Sequence, residues 1–154
     1  MAAPFQLVLA ALLIASGVVG PVSGYAADAS PLGLWTTIDD DSHKPRAVVE
    51  LSEREGLLSG RIVQLFRDPG EDPDPRCKDC TGSRHDQPVL GMTILWNLRR
   101  QGDTWEGGEI LDPENGSVYR CKLHPVSDGS KLEVRGFIGI SLLGRTQTWM
   151  RATP

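Results

Sequence analysis

Two cysteines three positions apart form the pair of side chains best suited to chemistry in this chain. Cys77 and Cys80 make a Cys-x-x-Cys motif in a segment rich in Pro and Asp, and His85 follows five residues later. A structural disulfide, a thioredoxin-like redox pair and a zinc site can all use this spacing. A redox pair needs a helix N-terminus that lowers the thiol pKa. Because no helix is predicted here, the disulfide is favoured, provided that the chain is exported.

Zinc is the remaining chemistry for this motif. His85 and His43 could supply two further ligands, but their spacing matches no established zinc site. The sequence therefore predicts a disulfide between Cys77 and Cys80, and no metal or other cofactor. Cys121 is left as an odd thiol. Alternation places it inward on a strand, so we expect a buried free cysteine, with pairing to Cys77 or Cys80 as the alternative.

Catalytic arrangements beyond the cysteines have little support. The three histidines, at positions 43, 85 and 124, are divided between the two ends of the fold predicted below. No serine lies in a nucleophile-elbow sequence, and the acidic runs at 39–41 and 71–74 are typical of solvated loops. No feature supports an enzyme, although none excludes one.

The N-terminal segment predicts export. Residues 7–19 are continuously apolar or small and are followed by further small residues. This pattern is typical of a secretory signal peptide, and it is too short for a stable membrane span. We predict a signal peptide over 1–29, cleaved between 24 and 29, and one domain over 30–154. The processed protein is then periplasmic or secreted, without a membrane span.

Charge limits the choice of partner. The formal net charge is −4, with both signs interspersed and no run of Lys and Arg. Nucleic-acid binding proteins carry a basic patch or stripe. We therefore exclude nucleic acid as an expected partner.

Alternating apolar residues after Pro31 predict eight strands. Turn residues interrupt the alternation about every 10 to 13 residues, which is typical of an up-and-down β protein. One apolar face per strand indicates an all-β, eight-stranded antiparallel barrel. A two-layer sandwich has the same alternation and is the alternative. The predicted strands span 33–38, 46–51, 57–66, 93–98, 104–111, 117–123, 132–137 and 145–150.

A Gly-x-Trp in the first strand and an Arg at the end of the last strand favour the barrel. This pair is similar to the closed-end signature of lipocalin-like barrels. In an eight-stranded meander the first and last strands are neighbours, so Arg151 would stack on Trp35 in a cation–π contact. We expect structural roles for Gly33, Trp35, Trp149 and Arg151.

The meander topology also gathers four loops at one end, which is the predicted mouth. These loops span 39–45, 67–91, 112–116 and 138–144. Alternation directs one set of side chains toward the interior. The expected ligand-binding residues are the wall residues Ile62, Met92, Trp96, Tyr119 and Val134, with Gln64, Glu109 or Thr148 as polar groups. At the mouth we add Ile140, Leu142 and Leu143 as a lid or contact patch, and Arg145 as a partner for an anionic headgroup.

Six sequence blocks carry a resemblance to a known family. They are Gly33-Leu-Trp35-Thr36 with Asp39, Cys77-x-x-Cys80-x-Gly82, Gly91-Met92-x-Ile94-Leu95-Trp96, Trp105-x-Gly107-Gly108-x-Ile110-Leu111-Asp112-Pro113, Tyr119-x-Cys121, and a long final block over 132–151. With these blocks, residues 32–151 resemble the exported bacterial proteins catalogued as domain of unknown function 2147. The resemblance implies a periplasmic or secreted bacterial protein with a lipocalin-like barrel, and it implies no activity.

Two functions from different classes follow. The first is binding of a small apolar or amphipathic molecule inside the barrel. The second is a protein-interaction module, such as an inhibitor, a chaperone or an envelope stress factor, with a filled barrel and an exposed apolar patch over 140–143. Metal or redox sensing at Cys77, Cys80 and His85 is a third. An internal void of about a few hundred Å³ separates the first two.

Overall fold

Eight antiparallel strands make up most of residues 29–153, the part of the chain that this computed structural model describes. The signal peptide predicted over 1–29 lies outside the described residues except for Ala29. Within residues 29–153, no helix has the length and apolar character needed to cross a membrane. The strands are β1 (Gly33–Ile38), β2 (Pro45–Arg54), β3 (Leu57–Leu65), β4 (Thr93–Gln101), β5 (Thr104–Asp112), β6 (Ser117–Val126), β7 (Lys131–Phe137) and β8 (Gly144–Arg151).

The sheet closes on itself into a barrel. Each strand pairs with the next, and β1 pairs with β8 through Trp35 with Arg151 and Thr36 with Met150. Closure confirms the predicted barrel and excludes the two-layer sandwich. The strands are correct in number and order, but β2, β4 and β6 each continue three residues past their predicted ends, because pairing runs on to the short turns of the closed end.

The closed end is filled by large apolar side chains. Residues with almost no exposed surface there include Trp35, Leu58, Leu98, Leu132 and Trp149. Alternation explains this packing, since one face of each strand is apolar and curls inward. The half of the barrel near these residues is therefore a packed core.

Arg151 joins the first and last strands at this end. Its guanidinium carbon lies 4.1 Å from the centroid of the Trp35 ring, so the contact expected from the sequence is present. The guanidinium also donates hydrogen bonds to the carbonyl oxygens of Ser30, Leu32 and Gly129. Gly33 lies beside it at φ +110°, a backbone conformation that favours glycine.

Bulges interrupt the alternation in four of the strands. Arg46 is an extra residue in β2 opposite Thr37 and Ile38. Val63 is an extra residue in β3 opposite Val48 and Val49. Ile94 is extra in β4, since β3 advances one residue from Gly60 to Arg61 while β4 covers two. A second shift in β4 lies between Leu95 and Leu98, where β3 advances two residues and β4 three. The β5–β6 register shifts between Trp105 and Gly108, where the glycine pair predicts a bulge and Gly107 adopts φ +80°. Each bulge reverses the faces of the residues that follow it.

The connection between β3 and β4, residues 66–92, packs against the barrel. Cys77 and Cys80 form the predicted disulfide within it, and both are buried. Gly91 donates a backbone hydrogen bond to the carbonyl oxygen of Ile62, and Ile62 donates one to that of Met92. These bonds continue the β3 ladder into the loop and hold the loop at the mouth.

Candidate functional site

The open half of the barrel contains a cavity of about 790 Å³. Its apolar wall comes from residues of the strands together with Pro75 and Val89 of the β3–β4 loop. The lining also includes loop residues of the predicted mouth, such as Asp39, Glu114 and Leu143, so the cavity lies at that end of the barrel. The apolar lining residues include Ala47, Val49, Ile62, Leu65, Val89, Ile94, Ile110, Leu111, Val134 and Trp149.

Five of the predicted ligand-binding residues line this cavity. Ile62, Tyr119 and Val134 lie on its wall, and Leu143 and Arg145 lie at its rim. Met92 is buried but does not line the cavity. Ile140 and Leu142 project into solvent beyond the rim.

Four predicted residues, Gln64, Trp96, Glu109 and Thr148, lie on the outer face of the barrel, so the prediction that they face the interior is wrong. Gln64 and Glu109 are exposed. The indole Nε1 of Trp96 donates a 3.0 Å hydrogen bond to Glu109, and Arg84 stacks on the indole ring at 4.2 Å. Gln64, Trp96 and Glu109 each follow one of the bulges, and strict alternation therefore assigns each of them to the opposite face. Thr148 is exposed between Gln147 and the buried Trp149, on the opposite face of β8.

Two polar side chains reach the apolar part of the cavity. The Tyr119 ring lies over Gly136, whose missing side chain leaves space for it. Gln147 faces inward on β8, and its Oε1 accepts a 3.3 Å hydrogen bond from Trp149 Nε1. Among residues 29–153, no hydrogen-bond partner contacts the Tyr119 hydroxyl or the Gln147 side-chain amide nitrogen, so both can bond to a molecule in the cavity.

Charged side chains surround the mouth in oppositely charged pairs. Arg46, at the start of β2, contacts Glu71 of the β3–β4 loop at 3.1 Å and Glu114 of the β5–β6 turn at 2.7 Å. Hydrogen bonds to two carboxylates raise the pKa of Arg46, and the bond to Glu114 has a larger effect than the bond to Glu71. Two hydrogen bonds lower the pKa of Glu71, and the bond from the backbone N–H of Asp68 has a larger effect than the bond from Arg46. These contacts connect three segments of the mouth.

Arg145 occupies a different charge environment. It forms an ion pair with Asp40 of the β1–β2 loop, and this contact raises the pKa of Arg145. The negative charges of Asp41 and Asp112 also raise the pKa of Arg145. An anion at Arg145 would therefore face three carboxylates.

The loop between β7 and β8 exposes apolar side chains beside the mouth. We call residues 138–143 the apolar loop. Its backbone is held by Arg135, which donates hydrogen bonds to the carbonyl oxygens of Ser141 and Leu142. The exposed fractions are 68% for Ile138, 60% for Ile140, 82% for Leu142 and 70% for Leu143. The loop is thus fixed with its apolar side chains in solvent.

Comparison with known proteins places this geometry in a family. The family described as "Uncharacterized protein conserved in bacteria (DUF2147)" matches residues 33–151. The chain belongs to this family. No curated protein matches the chain. Among solved structures, "Protein HP1028 from the human pathogen Helicobacter pylori belongs to the lipocalin family" is similar, with a TM-score of 0.69 and 20% sequence identity, over 81% of this chain and 84% of that chain. At this identity the likeness shows the fold, which is a lipocalin-like barrel.

The histidines and cysteines of this DUF2147 protein lie apart from the cavity. His85 contacts the carbonyl oxygen of Cys80 through Nδ1 at 3.1 Å. Within the described part of the chain, no three His, Cys, Asp or Glu side chains are placed to hold a metal ion. Cys121 is buried and unpaired, and burial raises the pKa of its thiol to about 12. None of these groups contributes to the wall of the cavity.

Sequence reasoning missed three polar residues that line the cavity of the DUF2147 barrel, Arg46, Glu114 and Gln147. Arg46 and Glu114 lie 68 positions apart, in segments with no shared motif. Gln147 follows from the inward position of Trp149 on the same strand, so alternation from Trp149 could have found it. The Arg46 contacts depend on how the β3–β4 loop folds, for which the sequence has no periodic pattern.

Proposed function

We propose that this protein is exported to the bacterial periplasm or secreted and binds a small apolar or amphipathic molecule in the open half of its barrel. The observation that supports this proposal is the 790 Å³ cavity with an apolar wall. Ligand pockets range from about 300 to 1,000 Å³ and combine an apolar lining with a few polar groups. Tyr119 and Gln147 are the polar groups inside, and the charged pairs surround the entrance.

A neutral fluorescent probe tests cavity binding directly. N-phenyl-1-naphthylamine carries no charge and becomes brighter in an apolar site. Gly136→Leu adds a side chain that projects into the cavity, where the new Cβ would lie 3.5 Å from Ile110 and Tyr119. We expect this variant to weaken probe binding at least about tenfold, which corresponds to about 1.4 kcal/mol. Fluorescence titration measures the change.

Thr148→Leu is the matched control for that experiment. Thr148 is exposed on the outer face of β8, so the same side chain is added outside the barrel. Circular dichroism and thermal unfolding check that both variants fold. Equal probe affinity in wild type, Gly136→Leu and Thr148→Leu would place the probe on the surface and contradict the proposal. Native mass spectrometry of freshly isolated protein should also show a bound small molecule.

A second candidate function is binding of an envelope protein through the apolar loop. Its four apolar side chains are exposed together, whereas soluble monomers rarely expose such patches without a function. We expect the double substitution Leu142→Ser and Leu143→Ser to abolish partner capture from an envelope extract and to leave the melting temperature nearly unchanged. Val118→Ser with Met150→Ser is the control, because these exposed apolar residues lie outside the apolar loop. Capture that survives the loop substitutions would rule out this candidate.

A further inference from the structure

The ion pair between Arg46 and Glu114 crosses the opening of the cavity. Arg46 belongs to β2 and Glu114 to the β5–β6 turn, and β3 and β4 lie between these segments in the barrel. Arg46 itself lines the cavity, and its side chain is 29% exposed. The guanidinium of Arg46 therefore lies at the boundary between the apolar cavity and solvent. Its N–H groups donate hydrogen bonds to the carboxylates of Glu71 and Glu114.

The two carboxylates on Arg46 differ in how firmly they are held. Glu71 has further partners, since its Oε2 accepts a 2.8 Å hydrogen bond from the backbone N–H of Asp68 and lies 3.4 Å from Arg67. Glu114 has a 69% exposed side chain. Within residues 29–153, its carboxylate contacts no cation other than Arg46. Glu114 can therefore leave Arg46 for solvent without disturbing the loop.

We propose that Arg46 is the headgroup site for an amphiphile with a carboxylate, which replaces Glu114 on the guanidinium while its apolar body fills the cavity. The inference rests on the function proposed above. An arginine fork suits a carboxylate, and Glu114 shows that one fits at this position. The predicted headgroup partner Arg145 is less suitable, because its side chain is 67% exposed, against 29% for Arg46, and solvent screens its charge more strongly.

Two probes with the same apolar body test the headgroup site. Dodecanoate and 1-dodecanol are each titrated against bound N-phenyl-1-naphthylamine near neutral pH. Wild type should bind dodecanoate at least about tenfold more tightly than dodecanol. Arg46→Gln should remove that preference and keep the affinity for dodecanol. Glu114→Gln should raise the affinity for dodecanoate, because it removes the internal competitor.

Control variants separate the site from general effects of charge. Arg61→Gln removes an arginine whose partner, Glu50, is on the outer surface, and it should retain the wild-type preference. Arg46→Lys keeps a charge without the fork and should give an intermediate preference. This second variant provides the test if Arg46→Gln does not fold. Arg76 and Arg145 also line the cavity. A larger loss of preference in Arg145→Gln or Arg76→Gln than in Arg46→Gln would overturn the assignment.

The outcomes distinguish this inference from the function on which it rests. If wild type binds dodecanoate and dodecanol equally, the cavity binds apolar molecules but Arg46 is not a headgroup site. If neither compound displaces the neutral probe and the probe itself does not bind, the proposed function fails. A preference for dodecanoate that depends on Arg46 and increases in Glu114→Gln supports both.

Discussion

Cys121 is the free thiol of residues 29–153, and its chemistry is controlled by burial. The residue is 1% exposed, and desolvation raises the pKa of the thiol to about 12. The thiolate is the reactive form of cysteine. We therefore expect no reaction of native protein with Ellman's reagent near neutral pH, and one thiol equivalent after unfolding without a reductant. Rapid reaction of the native protein would show that the core opens.

The raised pKa of Cys121 also predicts how the stability of the protein changes with pH. Native Cys121 stays protonated above its ordinary pKa of 9.0, whereas the unfolded thiol ionises there. The unfolded state then binds fewer protons, so the free energy of unfolding decreases as pH rises from about 9 toward 12. Urea unfolding of wild type and Cys121→Ala across this range isolates the contribution, since the variant lacks it.

At the level of the strands, bulges determine which residues can be assigned to the correct face of the barrel from the sequence. Alternation assigns Tyr119 and Val134 correctly, because no bulge precedes them in β6 or β7. Gln64, Trp96 and Glu109 each follow an extra residue that reverses the faces. Only the bulge in β5 has a sequence signature, the glycine pair. The bulges in β3 and β4 occur at ordinary apolar residues, and periodicity cannot locate them.

The disulfide acts on one loop and not on the barrel as a whole. Only two residues separate Cys77 from Cys80, so the entropic stabilisation is about 2 kcal/mol. The loop around it supplies Pro75, Arg76 and Val89 to the cavity wall. We expect reduction, or the double substitution of both cysteines by Ser, to loosen the loop backbone and increase tryptic cleavage after the exposed Arg76 and Lys78, while the β circular dichroism remains. Oxidised wild type is the control, and loss of the β spectrum on reduction would contradict this prediction.

At the scale of the whole molecule, the sequence predicts the closed barrel and the position of its mouth. Period-two alternation and regularly spaced turns determine both, since they set the strand number and the end at which each loop lies. The cavity could not be predicted from the sequence. Whether a barrel is hollow depends on the volumes of the inward-facing side chains at each height along the barrel axis. Trp35 and Trp149 fill the closed half, whereas Ala47 and Gly136 leave space in the open half.

This division separates stability from binding, and variants at the two ends should act independently. Arg151→Met removes the contact with Trp35 and three hydrogen bonds to carbonyl oxygens. It should lower the free energy of unfolding by about 1–3 kcal/mol, whereas Arg61→Met, at an exposed ion pair, should change it by less than about 1 kcal/mol.

Arg151→Met should leave the affinity for N-phenyl-1-naphthylamine unchanged well below its melting temperature. Combined with Gly136→Leu, its effect on unfolding should add to within about 0.5 kcal/mol, as urea titration can measure. Weaker probe binding in folded Arg151→Met would show instead that the packed end controls the shape of the cavity.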